Sequence, residues 1–245
     1  MVKGTARGIR FVYFDLDDTL VDTTTAVEGA YAAARAAIAP ELAANGLKAP
    51  AAAAEEELLG VFGSRLPREY FIAWLAEAGA TDGLARDLAT RAAAAYRARL
   101  GAIPAYPGAA GVLAELAARG VGRGVITDGR RDGQRRKLKD AGLADLVGPV
   151  FISEDYPLFE NKPGQRMFED ALAAAGFPAA DVAFVGDRVK DVIGANLAGM
   201  VSVRVWQGWA TRERAAAGLR VAQADVNLRT LAELPEALAA FAGAV

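Results

Sequence analysis

Two pairs of aspartates stand out by their spacing. Asp15 and Asp17 close an aromatic, β-branched run, and Asp187 and Asp191 follow a valine-rich run late in the chain. Asp191 lies one helical turn after Asp187, so a helix there would bring both carboxylates to one face. The chain has no histidine and no cysteine. That excludes imidazole bases, Ser-His-Asp triads, thiolate nucleophiles, disulfides and zinc–thiolate sites. Acid–base work falls to carboxylates, Lys or Tyr. A metal would have to be held by oxygen, which favours magnesium or calcium over zinc. Thr127-Asp128-Gly129 and Lys162 complete the candidate set. Each alone has an ordinary explanation: Asp187 as a helix cap, Thr127 and Asp128 as a turn, Lys162 as a solvated side chain. Together, at successive strand ends, they point to one site.

The strands that would carry them are continuous apolar runs: Ile9 to Phe14, Val121 to Thr127, Pro149 to Ser153, Val182 to Val185, and Val201 to Trp206. Such runs fit strands covered on both faces, as in a parallel sheet. Helical stretches lie between them, at Ala109 to Arg119, Arg130 to Ala141, Gln165 to Ala175 and Arg188 to Ala198, several with Gly near the end. The alternation predicts an α/β fold, a doubly wound Rossmann-like parallel sheet core. Ligands of such sheets bind beyond the carboxyl ends of the strands, where Asp15, Thr127 and Asp187 fall. From Thr23 to about Arg99 the pattern is alanine-rich and helical, with no strand signal. We therefore expect an inserted all-helical cap domain over 23–105, mobile on its Gly- and Pro-containing connectors, with the catalytic core formed by 1–22 and 106–245.

The bulk numbers agree with a globular enzyme. Of 245 residues, 53% are hydrophobic and 24% charged, and the net charge is -2. No basic excess points to nucleic acid or an anionic membrane surface. The run before Asp15 is too short for a signal-peptide core, and the longest charge-free stretch, between Arg99 and Glu115, is broken by prolines and glycines. The expectation is a cytoplasmic monomer or homodimer with no nucleic-acid or membrane partner.

The motifs themselves resemble those of the haloacid dehalogenase-like (HAD) superfamily. Asp15-Leu16-Asp17-Asp18-Thr19-Leu20-Val21 is similar to its first motif, Thr127-Asp128-Gly129 to the second, Lys162-Pro163 to the third, and Gly186-Asp187-Arg188-Val189-Lys190-Asp191 to the fourth. Tyr106-Pro107-Gly108 fits the return from the cap to the core. The segment from Thr127 to Lys162 and the Gly186-Asp187-Arg188 wording look somewhat like the N-acylneuraminate-9-phosphatase subgroup. The resemblance implies a phosphomonoester hydrolase that acts on a small phosphorylated metabolite through an aspartyl-phosphate. Asp15 would be the nucleophile and Asp17 the acid and base. Lys162, the Thr127 hydroxyl and the Asp128 amide would hold the phosphate. Magnesium would be held by Asp15, the Asp17 backbone carbonyl and Asp187, with Asp191 in its inner or outer shell. Dehalogenases expel halide and typically lack an acid two residues after the nucleophile. Phosphonate-cleaving relatives use a cap lysine, and the expected cap contains only Lys48. The runner-up is a phosphomutase, which shares all four motifs, and a third reading is a non-catalytic binding protein on the same scaffold. Arg65, Arg68, Arg130 and Arg131 are read as solvated surface and Trp74, Trp206 and Trp209 as packing residues.

Overall fold

The structure is a computed structural model that describes residues 8–48, 67–101, 103–211 and 220–242. Strand β1 (Phe11–Phe14) is buried along its whole length. A strand covered on both faces cannot alternate polar and apolar, and Phe-Val-Tyr-Phe does not. β2 (Gly122–Thr127), β3 (Val150–Ile152), β4 (Val182–Gly186) and β5 (Val201–Val205) are the other expected strands, with no end shifted by more than one residue. A sixth strand, β6 (Val226–Leu228), is absent from the expected set. Three residues with Asn in the middle are too short a run to be read as a strand, and pairing with β5 makes it one. All pairings are parallel and the order is β3-β2-β1-β4-β5-β6.

The helices among the described residues are α1 (Thr23–Ala44), α2 (Pro67–Glu77), α3 (Asp82–Leu100), α4 (Ala109–Ala118), α5 (Arg131–Asp140), α6 (Arg166–Ala175), α7 (Val189–Leu197) and α8 (Leu234–Ala239). None is long and apolar enough to cross a membrane. The chain forms two compact units, Met1–Thr24 with Ala102–Val245, and Thr25–Gly101. The described residues of the second contain helices and no strand. Its core is built from Tyr31, Ile38, Phe71, Trp74, Leu88 and Tyr96 among others, with the Tyr31 and Tyr96 rings 5.0 Å apart. Its many alanines let the helices approach closely: Ala30, Ala34, Ala89, Ala92 and Ala93 are fully buried.

The α/β unit is organised by aromatic residues of β1. The Phe11 and Tyr13 rings stack at 4.6 Å and lie across β2. Their register partners are Gly122 and Gly124. A Cβ at either glycine would come well inside 3.0 Å of those rings, so glycine is required there. The Tyr13 hydroxyl, buried, donates to the Ala171 carbonyl of α6 at 2.7 Å, and Phe168 of α6 meets Phe184 of β4 edge to face at 5.2 Å. These contacts fix β1 in the middle of the sheet, with β2 and β4 on either side. The chain runs from β1 to β2 and β3 on one flank and then crosses to β4, β5 and β6 on the other, which makes the carboxyl end of β1 the switch point of the sheet.

Candidate active site

Because β1, β2 and β4 are neighbours, the residues that follow them are gathered at one edge. Asp15 follows β1 and its amide donates to the Val185 carbonyl at 2.8 Å. Thr127 is the last residue of β2 and Asp187 follows β4. Asp15, Asp187 and Asp191 each offer a carboxylate oxygen, and these oxygens lie within 4.8 Å of one another. All three side chains are buried. Lys162 is also buried, and its Nζ is 2.6 Å from Asp15 Oδ1, 2.7 Å from Asp191 Oδ1 and 3.3 Å from the Ile126 carbonyl.

This cluster is electrostatically incomplete. Three carboxylates against one ammonium leave a formal charge of two negative. Both carboxylate oxygens of Asp187 are buried without a hydrogen-bond partner, although buried polar groups are nearly always paired. Burial, then the neighbouring Asp191, push the Asp15 carboxyl up to about 7, against the lowering pull of Lys162 and Lys190. Burial and the charges of Asp191 and Asp15 push Asp187 well above the ordinary carboxylate range. Lys162 is held protonated: burial disfavours its charge, but Asp15 and Asp191 outweigh it. Two orphaned oxygens, an all-oxygen donor set and a missing charge of two fit a hard divalent cation. The carbonyl of Asp187 is fixed from behind by Arg204, whose Nε donates to it at 2.9 Å and whose guanidinium lies 4.0 Å over the Trp206 ring.

Asp17 points elsewhere. Its Oδ1 accepts from Lys137 Nζ at 2.5 Å and from the Thr23 hydroxyl, and its Oδ2 accepts from Gln134 Nε2 at 2.9 Å. Burial would raise its pKa, but the Lys137 ammonium and the bonds from Lys137, Thr23 and Gln134 prevail and hold it below the ordinary range. The neighbouring Asp18 serves the fold instead. With φ 58 it turns the chain, and its carboxylate accepts from the Thr24 amide at 2.8 Å and hydroxyl at 2.5 Å at the start of α1.

Thr127 Oγ1 accepts from Gln134 Nε2 at 2.7 Å. The Asp128 side chain, which has no evident role in the sequence, braces two other elements. Its Oδ1 accepts from the Lys162 amide at 2.9 Å and its Oδ2 pairs with Lys190 of α7 at 2.7 Å. The Gly129 amide donates to Ser153 Oγ after β3 at 2.9 Å. All seven residues singled out in the sequence therefore lie at this edge or in contact with residues that do. Gln134, Lys137, Lys190 and Arg204 escaped sequence reading. Gln134 and Lys137 sit in a helix of charged residues, where only their three-residue spacing distinguishes them from solvated neighbours.

The other sequence candidates are accounted for by contacts or exposure of their own. Arg131 pairs with Asp155, Arg130 is exposed, and Arg68 Nε donates to Thr90 Oγ1 at 3.2 Å. Trp74 packs in the helical core, and Trp206 Nε1 donates to Asn227 Oδ1 at 2.9 Å. Arg65 and the Trp209 side chain lie outside the described residues.

Similarity to characterised proteins agrees with this geometry. The chain is 32% identical over 202 residues to glyceraldehyde 3-phosphate phosphatase of Methanopyrus kandleri, covering 82% of this chain and 85% of that one. It is 41% identical over 150 residues to phosphoserine phosphatase of Thermus thermophilus, covering 61% of this chain and only 56% of that protein's length. The crystal structure of a 2-haloacid dehalogenase from Pseudomonas syringae superposes with a TM-score of 0.61 at 30% identity, over 95% of this chain and 99% of that one. A family model for haloacid dehalogenase-like hydrolases matches residues 9–199, which span the whole site from Asp15 to Asp191, and the chain belongs to that family.

Proposed function

We propose that the chain is a phosphatase that hydrolyses small phosphomonoesters, with Asp15 as nucleophile and magnesium as the bound cation. The observation that carries this reading is the pair Asp15 and Asp17, two residues apart yet held in opposite surroundings. Asp15 faces Lys162 and the two further carboxylates, while Asp17 is grasped from the other side by Lys137, Thr23 and Gln134. A halide leaves without a proton, whereas an alkoxide needs one. A second carboxyl beside the nucleophile therefore favours phosphate esters over haloacids. The names of the two phosphatase relatives support the same choice.

In this mechanism Asp15, the backbone carbonyl of Asp17, and Asp187 would hold the magnesium ion, with Asp191 beside them. When bound, the ion would offset the negative charge shared by nucleophile and phosphate. Lys162 and the Thr127 hydroxyl, together with the Asp128 amide, hold the phosphoryl oxygens. Asp15 attacks phosphorus and becomes an aspartyl-phosphate. Asp17, a carboxylate in the free protein, takes up a proton as the substrate binds, because the entering anion raises its affinity for one, and gives that proton to the departing alkoxide. Its carboxylate then takes a proton from the water that attacks the aspartyl-phosphate, which releases Asp15 and inorganic phosphate.

The test is phosphate release from a panel of O-phosphoserine, glyceraldehyde 3-phosphate, phosphoglycolate and N-acylneuraminate 9-phosphate with magnesium, coupled to mass spectrometry of acid-quenched protein. Turnover with a phosphate adduct on Asp15 is the expected result. Release of halide from a 2-haloacid without phosphate release from any panel member would overturn the reading.

A further inference from the structure

We propose that Gln134 and Lys137 are positioning residues for Asp17, a two-pronged brace that α5 extends from the second motif to the first. The inference rests on the proposed function and deepens it.

Gln134 is almost fully buried on a helix whose other polar residues, Lys137 apart, are exposed. Burying an amide is unfavourable unless it is paired, so its partners show what the burial serves. Every acceptor in reach of Nε2 belongs to a motif residue: Thr127 Oγ1 at 2.7 Å, Asp17 Oδ2 at 2.9 Å and the Asp128 carbonyl at 2.9 Å. Three residues further on the same face, Lys137 reaches Asp17 Oδ1 at 2.5 Å. Leu138, next in line, is buried and anchors that face by apolar contact. Room for the Gln134 side chain comes from Gly129: a Cβ there would lie 3.1 Å from Gln134 Cδ, and φ at Gly129 is 136°.

The consequence is geometric. A carboxyl group rotates easily about its last torsion. Held by a donor on each oxygen, Asp17 has one orientation relative to Thr127, the group expected to contact the phosphoryl. An acid that must meet the ester oxygen within hydrogen-bond reach benefits from that restriction. Thr127, accepting from Gln134, donates its own proton only over a long 3.5 Å to the Asp128 carbonyl, a bond that a phosphate oxygen can replace.

The experiment compares wild type, Lys137→Met, Gln134→Leu, Asp17→Asn and the two doubles with Asp17→Asn. Substrates are O-phosphoserine, or the panel member turned over fastest, and 4-nitrophenyl phosphate. If the brace works through Asp17, each single variant lowers kcat on the alkyl phosphate about tenfold or more, a fraction of the roughly hundredfold or larger contribution of general acid–base catalysis. KM stays within about threefold, and the aryl phosphate, whose leaving group needs little protonation, loses less than about threefold. In the Asp17→Asn background neither substitution adds a further loss, because the residue it positions is already gone. Equal losses on both substrates, or losses that multiply with Asp17→Asn, would overturn the inference and leave the phosphatase reading standing. A wild-type protein that turns over no phosphomonoester would overturn both. Should Gln134→Leu not fold, Lys137→Met, which keeps its aliphatic stem, decides the question alone.

Discussion

Replacing Lys162 by Met isolates the charge logic of the site. The ammonium is the cation that partners both Asp15 and Asp191, at 2.6 and 2.7 Å, and both pairs are buried. Its removal takes the formal charge of the three-carboxylate group from two negative to three negative. Stripping one partner from a buried ion pair costs about 3–5 kcal/mol. For a chain of this length, each kcal/mol corresponds to roughly 2–4 °C in Tm, so the chelated variant should melt about 6–20 °C below the chelated wild type. Magnesium should then act more strongly on the variant. In the wild type the ion and Lys162 compete for oxygens of Asp15 and Asp191, and in the variant the ion has them to itself. A ligand at about a hundred times its dissociation constant adds about 2.7 kcal/mol, so millimolar magnesium should recover a large part of the loss. The assay is thermal unfolding of both proteins near neutral pH, in chelator and in magnesium, with turnover recorded in parallel. Turnover should fall at least a hundredfold even where stability recovers, because the phosphoryl oxygens lose their cation. A chelated variant within about 1 °C of wild type would refute this reasoning, and so would a smaller magnesium increment in the variant than in the wild type.

Three further outcomes follow from the same geometry. Asp15→Asn should abolish turnover and the phosphate adduct while leaving the fold intact, and Asp17→Asn should slow alkyl phosphates about a hundredfold or more and let the adduct accumulate; rapid-quench mass spectrometry separates the two. Chelator should remove all activity and magnesium restore it, with calcium a poor substitute because its looser coordination misplaces the nucleophile; full turnover after exhaustive chelation would exclude metal dependence. The metal-free protein should gain stability on mild acidification: Asp15 is raised to about 7 and Asp187 is raised too, so both bind protons more tightly folded than unfolded, and their charge repulsion is relieved as pH falls through that range. Asp17, lowered, has the opposite sign and matters only at more acid pH. Melting curves between about pH 8 and 5.5 in chelator and in magnesium would check this, since bound metal should flatten or reverse the slope.

Strand ends are the legible part of this chain. A strand buried on both faces leaves an unbroken apolar run, so the first polar residue after it marks the edge of the sheet, as at Asp15 and Asp187. The doubly wound fold follows from the same runs. β6 does not, because its three residues become a strand only by pairing with β5. Nor do the residues that act on the site from a distance. Arg204 lies within β5, where a charge ordinarily argues against burial; it is buried because Asp187 and Trp206 receive it. Gln134 and Lys137 look like any polar residues of a solvated helix until the register of α5 against Asp17 is known.

The contrast between the two aspartates of the first motif explains why the site needs a partner beyond its own side chains. Asp15 is buried and lies beside the like charge of Asp191, both of which favour its protonated form near neutral pH, and a protonated carboxyl is a poor nucleophile. Lys162 counters this incompletely, since its single charge is divided between Asp15 and Asp191. Asp187 meanwhile presents two buried oxygens that nothing in the described chain satisfies. Both defects have one remedy, a small divalent cation taken up by oxygen ligands. It would restore the charge of Asp15 and satisfy Asp187 together. Asp17 requires no such help, because three side chains of the fold already hold its carboxylate. On the proposed reading, a motif with two chemically identical groups divides into one whose charge would wait on a metal and one whose orientation is built in. That division is why removing magnesium and removing Lys137 should leave different kinetic signatures: the first lost on every substrate, the second most severe where the leaving group needs a proton.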